Sequence, residues 1–160
     1  MLRSSDVIIP DTSCLILLSK IDELNLLKQM SEKVYITSII HKEYGREIPV
    51  WVEIVDPSDK YYQAILEMDL DKGEASSIAL SLGVENGILI IDDLKGRKVE
   101  EKLRLRYSGT FGMILKAKEL GIIKSVKPIL EKIRLTDFRF TKHRKDLMGS
   151  GIRSRENFGM

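Results

Sequence analysis

"GILIIDDLKGRK", residues 87–98, decides how this chain folds. Four apolar residues, Ile88 to Ile91, run straight into Asp92 and Asp93, and then into Lys95, Arg97 and Lys98. An uninterrupted apolar run of that length, entered through the Asn86-Gly87 turn, reads as a buried core strand. Its end raises a question, because two adjacent aspartates repel one another. Either they cap the next helix, or they hold something positive between themselves and a partner.

Upstream of this strand, Gly73 to Leu82 predicts a helix in which Ala75, Ile78, Ala79 and Leu82 share one buried face. Further back, Val7 to Ile9 reads as a short strand ended by Pro10-Asp11, followed by a largely buried helix over Thr12 to Lys20. A helix over Glu23 to Met30, a β-branched strand over Lys33 to Ser38 and a helix capped by Ser38 come next. Val50 to Pro57 reads as a short strand and Ser58 to Met68 as a helix. Downstream lie a basic helix over Leu94 to Arg104, a brief "RYSGT" segment, a helix over Phe111 to Leu120 and an amphipathic piece over Ile129 to Leu135. Strands alternating with helices predict a three-layer α/β/α fold with a central, mainly parallel sheet. Ligands bind such sheets outside the carboxyl ends of the strands.

The 160 residues are enough for one domain with a real core, placed at residues 1–137. The remainder, 138–160, is a basic tail with two glycines around Ser150 and is expected to be mobile. Six Lys/Arg against two acids give this tail a local +4, and the block from Lys95 to Arg106 has the same balance. On a chain of net charge +2, such patches suit a polyanionic partner, although a solvated helix surface explains each one singly. The longest apolar runs, such as Cys14 to Leu18, are far too short to cross a bilayer. "MLRSSDVIIPD" lacks a signal-peptide pattern, and Cys14 stands alone as a small buried hydrophobe, so a cytoplasmic setting is expected.

Asp11 immediately follows the first strand, and Asp92 and Asp93 follow the strand at Ile88 to Ile91. Glu43 lies in the helix after the second strand, and Glu74 in the first turn of the helix before the fourth. Capping accounts for Asp11, Asp92 or Asp93 taken singly, and Glu74 could close a capping box from Asp71. Taken together, acids at one sheet edge repel in a partly dry crevice unless a cation sits there. Mg²⁺ or Mn²⁺ suits an all-oxygen set in which Asp11, Glu74, Asp92 and Asp93 are the metal candidates. Such an ion activates water and stabilises charge on a phosphodiester. Thr12, Ser13 and Thr110 add hydroxyls that could position water at the same edge, though capping also explains Thr12 and Thr110. Lys95, Arg97 and Lys98 would meet the phosphates of a nucleic acid. His41 and His143 are isolated, so nothing suggests zinc. The chain also lacks a glycine-rich phosphate loop, and "DTSCL" lacks the second acid of an Asp-x-Asp phosphatase.

These residues resemble a PIN domain. "VIIPDTSCLILLSKI" is similar to the family's opening, and "YITSIIHKEYGREI" to its second segment, with Glu43 in the acid position. "DKGEASSIALSLGVENGILIIDDLKGRK" resembles its central block and "YSGTFGMILKAKELGII" the last unit of a prokaryotic PIN-like subgroup, so the likeness covers about residues 5 to 135. The resemblance implies a metal-dependent ribonuclease, often the toxin of a VapC-type toxin–antitoxin pair. It makes Asp11, Glu43, Glu74 and Asp92 the acidic quartet, with Asp93 a second candidate for the last place. It also implies RNA as substrate, an antitoxin protein as a possible partner, and a homodimer. The reaction expected is hydrolysis of single-stranded RNA by activated water, with the carboxylates as ligands and general base. The main alternative is a PIN-like module that binds RNA or protein without cutting. A phosphoacceptor switch is a weaker reading, since a receiver's acidic pair follows its first strand and here the pair follows a late one.

Overall fold

The computed structural model describes residues 6–136 of the chain. Expectations placed on 138–160, including His143 and the basic tail, lie outside the described residues. The strands are β1 (Val7–Pro10), β2 (Lys33–Ile36), β3 (Val52–Ile54), β4 (Gly87–Ile90) and β5 (Tyr107–Ser108). The helices are α1 (Thr12–Lys20), α2 (Asn25–Met30), α3 (Ser38–Tyr44), α4 (Lys60–Leu66), α5 (Lys72–Leu82), α6 (Leu94–Lys102), α7 (Thr110–Glu119) and α8 (Lys127–Arg134).

Alternation along the strands builds two cores. Ile8 of β1 packs with Ile88 and Ile90 of β4 on one face of the sheet, against Cys14, Leu17, Leu27, Ile40, Met113 and Ile133. Val7, Ile9 and Leu89 point to the other face, against Leu66, Ile78 and Leu80. Helices α1, α2, α3, α7 and α8 therefore cover one face and α4, α5 and α6 the other, which is the three-layer fold expected. The sheet runs β3-β2-β1-β4-β5, and every neighbouring pair is parallel. The chain steps outward from β1 to β3, then returns to β4 on the other side of β1. That reversal opens a crevice at the carboxyl ends of β1 and β4.

Pro10 belongs to β1, one residue beyond the expected end, and pairs with Ile90. Val7 and Asp11 both donate their amides toward β4, to Asn86 and Ile90 carbonyls, so alternation turns the Pro10 nitrogen toward β2. The β1–β2 pairs end at Ile8–Val34, and the missing N–H costs no ladder bond.

Two local expectations need correction. Thr37, not Ser38, caps α3: its Oγ1 accepts the Ile40 amide at 3.1 Å. Because β2 ends at Ile36, Thr37 is the residue still extended as the helix begins, while Ser38 binds Asp56 through its amide and hydroxyl. Leu82 is 42% exposed rather than buried. It is the last residue of α5, beyond which Gly83 closes the helix, and Leu80 takes the core place instead. Helix α5 is buried on most sides because it packs against α3, α4, α6, β1 and β4. Its small residues permit that approach. No helix among the described residues is long and apolar enough to cross a membrane.

Candidate active site

Asp11 leaves β1 with extended backbone and caps α1, its Oδ1 accepting the Cys14 amide at 2.8 Å. It is only 6% exposed. Burial pushes its carboxyl well above the usual range, and the charge of Asp92 adds to this. Amides of Cys14 and Asp92 oppose the shift, and Glu74 adds a smaller push. Capping and crowding are thus both true of Asp11, but capping does not relieve the crowding. Cys14, fully buried beneath it, is a free thiol whose pKa is raised first by burial and then by Asp11 and Asp92.

Asp92 and Asp93, equivalent in the sequence, separate in the structure. Asp93 is exposed and caps α6, accepting the amides of Lys95 at 2.7 Å and Gly96 at 3.3 Å. Asp92 turns the other way, toward Asp11. Thr110 holds it from the start of α7, with the amide 2.9 Å from Oδ1 and the hydroxyl 2.7 Å from Oδ2. Arg97 approaches the same Oδ1 at 3.9 Å and donates Nε to the Ile91 carbonyl at 3.2 Å. Gly109 makes this possible, since a Cβ there would collide with the Arg97 guanidinium and stand 2.9 Å from Asp92 Oδ1.

Glu74 opens α5, where its amide donates to the Asp71 cap at 2.9 Å. Burial pushes its carboxyl up to about 8, and Asp71, Asp93 and Glu43 add to the effect in that order. Glu43, exposed near the end of α3, accepts the Thr12 hydroxyl at 2.7 Å. Its carboxylate lies against Gly73, where any Cβ would collide with it. Ser13 is exposed on the first turn of α1 and joins none of these contacts.

The acids therefore stand as two groups that feel one another: Asp11 with Asp92, and Glu74 with Asp71, Asp93 and Glu43. Among the described residues, no three His, Cys, Asp or Glu side chains are already close enough to hold one metal ion. Instead Thr110, Thr12 and Asp71 occupy the carboxylates with local hydrogen bonds. Of the three basic candidates, Lys95 and Lys98 are exposed, whereas Arg97 is half-buried and turned onto Asp92.

The family model DUF3368, described as a PIN domain, matches residues 7–148. The chain belongs to the PIN-domain family. No curated protein and no solved structure matches it. PIN domains are generally nucleases and typically use divalent metals. In this PIN domain Asp11, Glu43, Glu74 and Asp92 all stand on elements that converge on the crevice between β1 and β4.

Sequence reasoning passed over Glu100, which is completely buried on α6. It reads as surface because it sits in the run "RKVEEK". Only the structure reveals it: Glu100 lies four residues after Gly96, which packs against Ile91 and near Glu74.

Proposed function

We propose that this PIN domain is a divalent-metal-dependent endoribonuclease that cuts single-stranded RNA. The observation that carries this reading is the pair formed by Asp11 and Asp92 at the switch point of the sheet. Two carboxylates are brought together there, one of them buried, and among the described residues the ion pair they share is the one from Arg97 to Asp92 at 3.9 Å. The donor set fits a hard cation, being oxygen from Asp11, Glu74 and Asp92 with neither thiolate nor imidazole among them, while Asp93 is spent on the α6 cap. Mg²⁺ or Mn²⁺ held there would supply Lewis acidity and a lowered pKa for water.

The chain's own residues have separable parts in this scheme. Thr110 fixes Asp92 through two hydrogen bonds, so the carboxylate faces Asp11 in one orientation. Glu43, oriented by the Thr12 hydroxyl and accessible to solvent, is the carboxylate placed to accept a proton from water. Lys95 and Lys98 extend from the first turns of α6 beside Asp92 and bind the RNA backbone. RNA as the substrate class, a dimer, a cytoplasmic setting and an antitoxin partner that silences the enzyme by covering the crevice come from the family resemblance.

The test is a cleavage time course on labelled single-stranded RNAs with Mn²⁺, Mg²⁺ or EDTA, beside an Asp11→Asn control. Cutting that requires the metal and disappears in the variant supports the nuclease reading. No cutting with any divalent ion, while RNA is still bound in EDTA, replaces it with a non-cutting binding module.

A further inference from the structure

Glu100 has no part in the reaction just described, yet its position is hard to explain without one. It is 0% exposed, and neither Oε1 nor Oε2 has a hydrogen-bond partner among the described residues. A buried carboxyl without partners is among the most costly groups a fold can contain. Its neighbours on α6, Val99 and Leu103, pack against the apolar core on that side of the sheet. A leucine or methionine would fill the space of Glu100 without that cost.

The carboxyl lies on the side of α6 that meets the acidic site. Gly96, one turn earlier on the same stripe, is so close to α5 that a Cβ there would stand 3.5 Å from Glu74 Oε2. Burial pushes Glu100 up to about 9; Arg97 opposes this, while Asp11, Glu74 and Glu101 reinforce it. Tyr107 of β5 also feels its charge and spends its own hydroxyl on Glu101, 2.8 Å away. Glu100 is therefore within electrostatic reach of both groups of acids, from the buried side.

We propose that Glu100 is an inner carboxylate of the acidic site, which helps Asp11 and Glu74 hold a divalent cation from beneath. This rests on the reading of those acids as a cation site. It adds a ligand on α6 to a set otherwise drawn from the ends of β1 and β4 and the first turn of α5.

Mn²⁺ titration of the full chain by calorimetry tests it without reference to RNA cleavage. The proteins compared are the wild type, Glu100→Gln, Glu100→Met and Asp11→Asn, each with its melting temperature in EDTA. Gln copies the protonated acid in shape, and Met fills the space without polar atoms, so one folded variant suffices. The expected result is Mn²⁺ affinity at least about tenfold weaker in the Glu100 variants, with EDTA melting temperatures equal to or above wild type. Wild-type affinity in a folded Glu100 variant, with affinity lost in Asp11→Asn, overturns the role of Glu100 alone. Absence of Mn²⁺ binding by the wild type, or full affinity in Asp11→Asn, overturns the cation site and this inference with it.

Discussion

An aspartate stands at each end of β1, and the two meet opposite surroundings. Asp6, whose side chain is 0% exposed, receives the Arg106 guanidinium through Nη1 at 2.9 Å and Nη2 at 3.3 Å. Asp11, nearly as buried, faces the charges of Asp92 and Glu74. At the amino edge of the sheet a buried charge is matched by a forked cation. At the carboxyl edge, among the described residues, burial of Asp11 is met by no ion pair of its own. Only one of these ends lies at the switch point where α/β sheets bind ligands. The difference teaches that helix capping, which Asp11 does perform, leaves its poor electrostatics unexplained. Sites kept for function tolerate such local conflict.

The comparison is sharpest if both aspartates are neutralised in turn. Asp11→Asn is expected to lower RNA cleavage about 10³-fold or more while leaving the melting temperature unchanged or raised. Asp6→Asn is expected to do the reverse, costing about 2 kcal/mol of stability, with turnover by the folded fraction nearly normal. Partial exposure of Arg106 keeps that figure below the loss for a fully buried pair. Parallel melting and turnover measurements on the two variants decide the matter, and equal effects at both ends would erase the contrast.

A smaller loss is expected from Thr110→Val, which removes the hydroxyl bond to Asp92 Oδ2 and keeps the shape. Cleavage should fall about tenfold, mainly in kcat, with stability changed by about 1 kcal/mol. Steady-state kinetics on one RNA substrate check this.

The pH dependence follows from Glu74 and Glu100, raised to about 8 and about 9 by burial. In the folded chain they bind protons that the unfolded chain releases near the ordinary value of 4.5. Their contribution is therefore fully present below that value and lost as pH rises through about 8 and 9. In EDTA the melting temperature should drop on the order of 5 °C between mildly acidic and mildly alkaline buffer, and Mn²⁺ should reduce the drop. A flat profile would mean that the carboxyl edge is as well compensated as the Asp6 edge. The smallest effect is expected for the Lys95→Ala, Lys98→Ala pair: a few-fold weaker RNA binding, with the salt slope reduced by about 1.4.

Much of the framework could be read before any coordinates. Apolar runs such as Ile88 to Ile91 marked the strands, and their alternation with helices marked the layers. Asp11, Glu74 and Asp92 could be picked out because each lies beside a strand end or a helix start on one edge of such a sheet. Less legible was the choice between Asp92 and Asp93, since adjacent residues differ only in the direction their side chains leave the chain. That direction depends on Thr110, 18 residues later. Arg97 reads as one more surface base, and Glu100 as one more surface acid, because a charged helix hides its inward face until something packs on it.

The sequence by itself determined the elements, the family and the residues that can bear acid chemistry, because local propensity and short-range spacing suffice for these. Tertiary structure alone decided which charges became neighbours. It set Arg106 against Asp6, Asp92 against Asp11, and Glu100 behind Glu74. Electrostatic energy depends on distance and burial in three dimensions, and strand order β3-β2-β1-β4-β5 creates both.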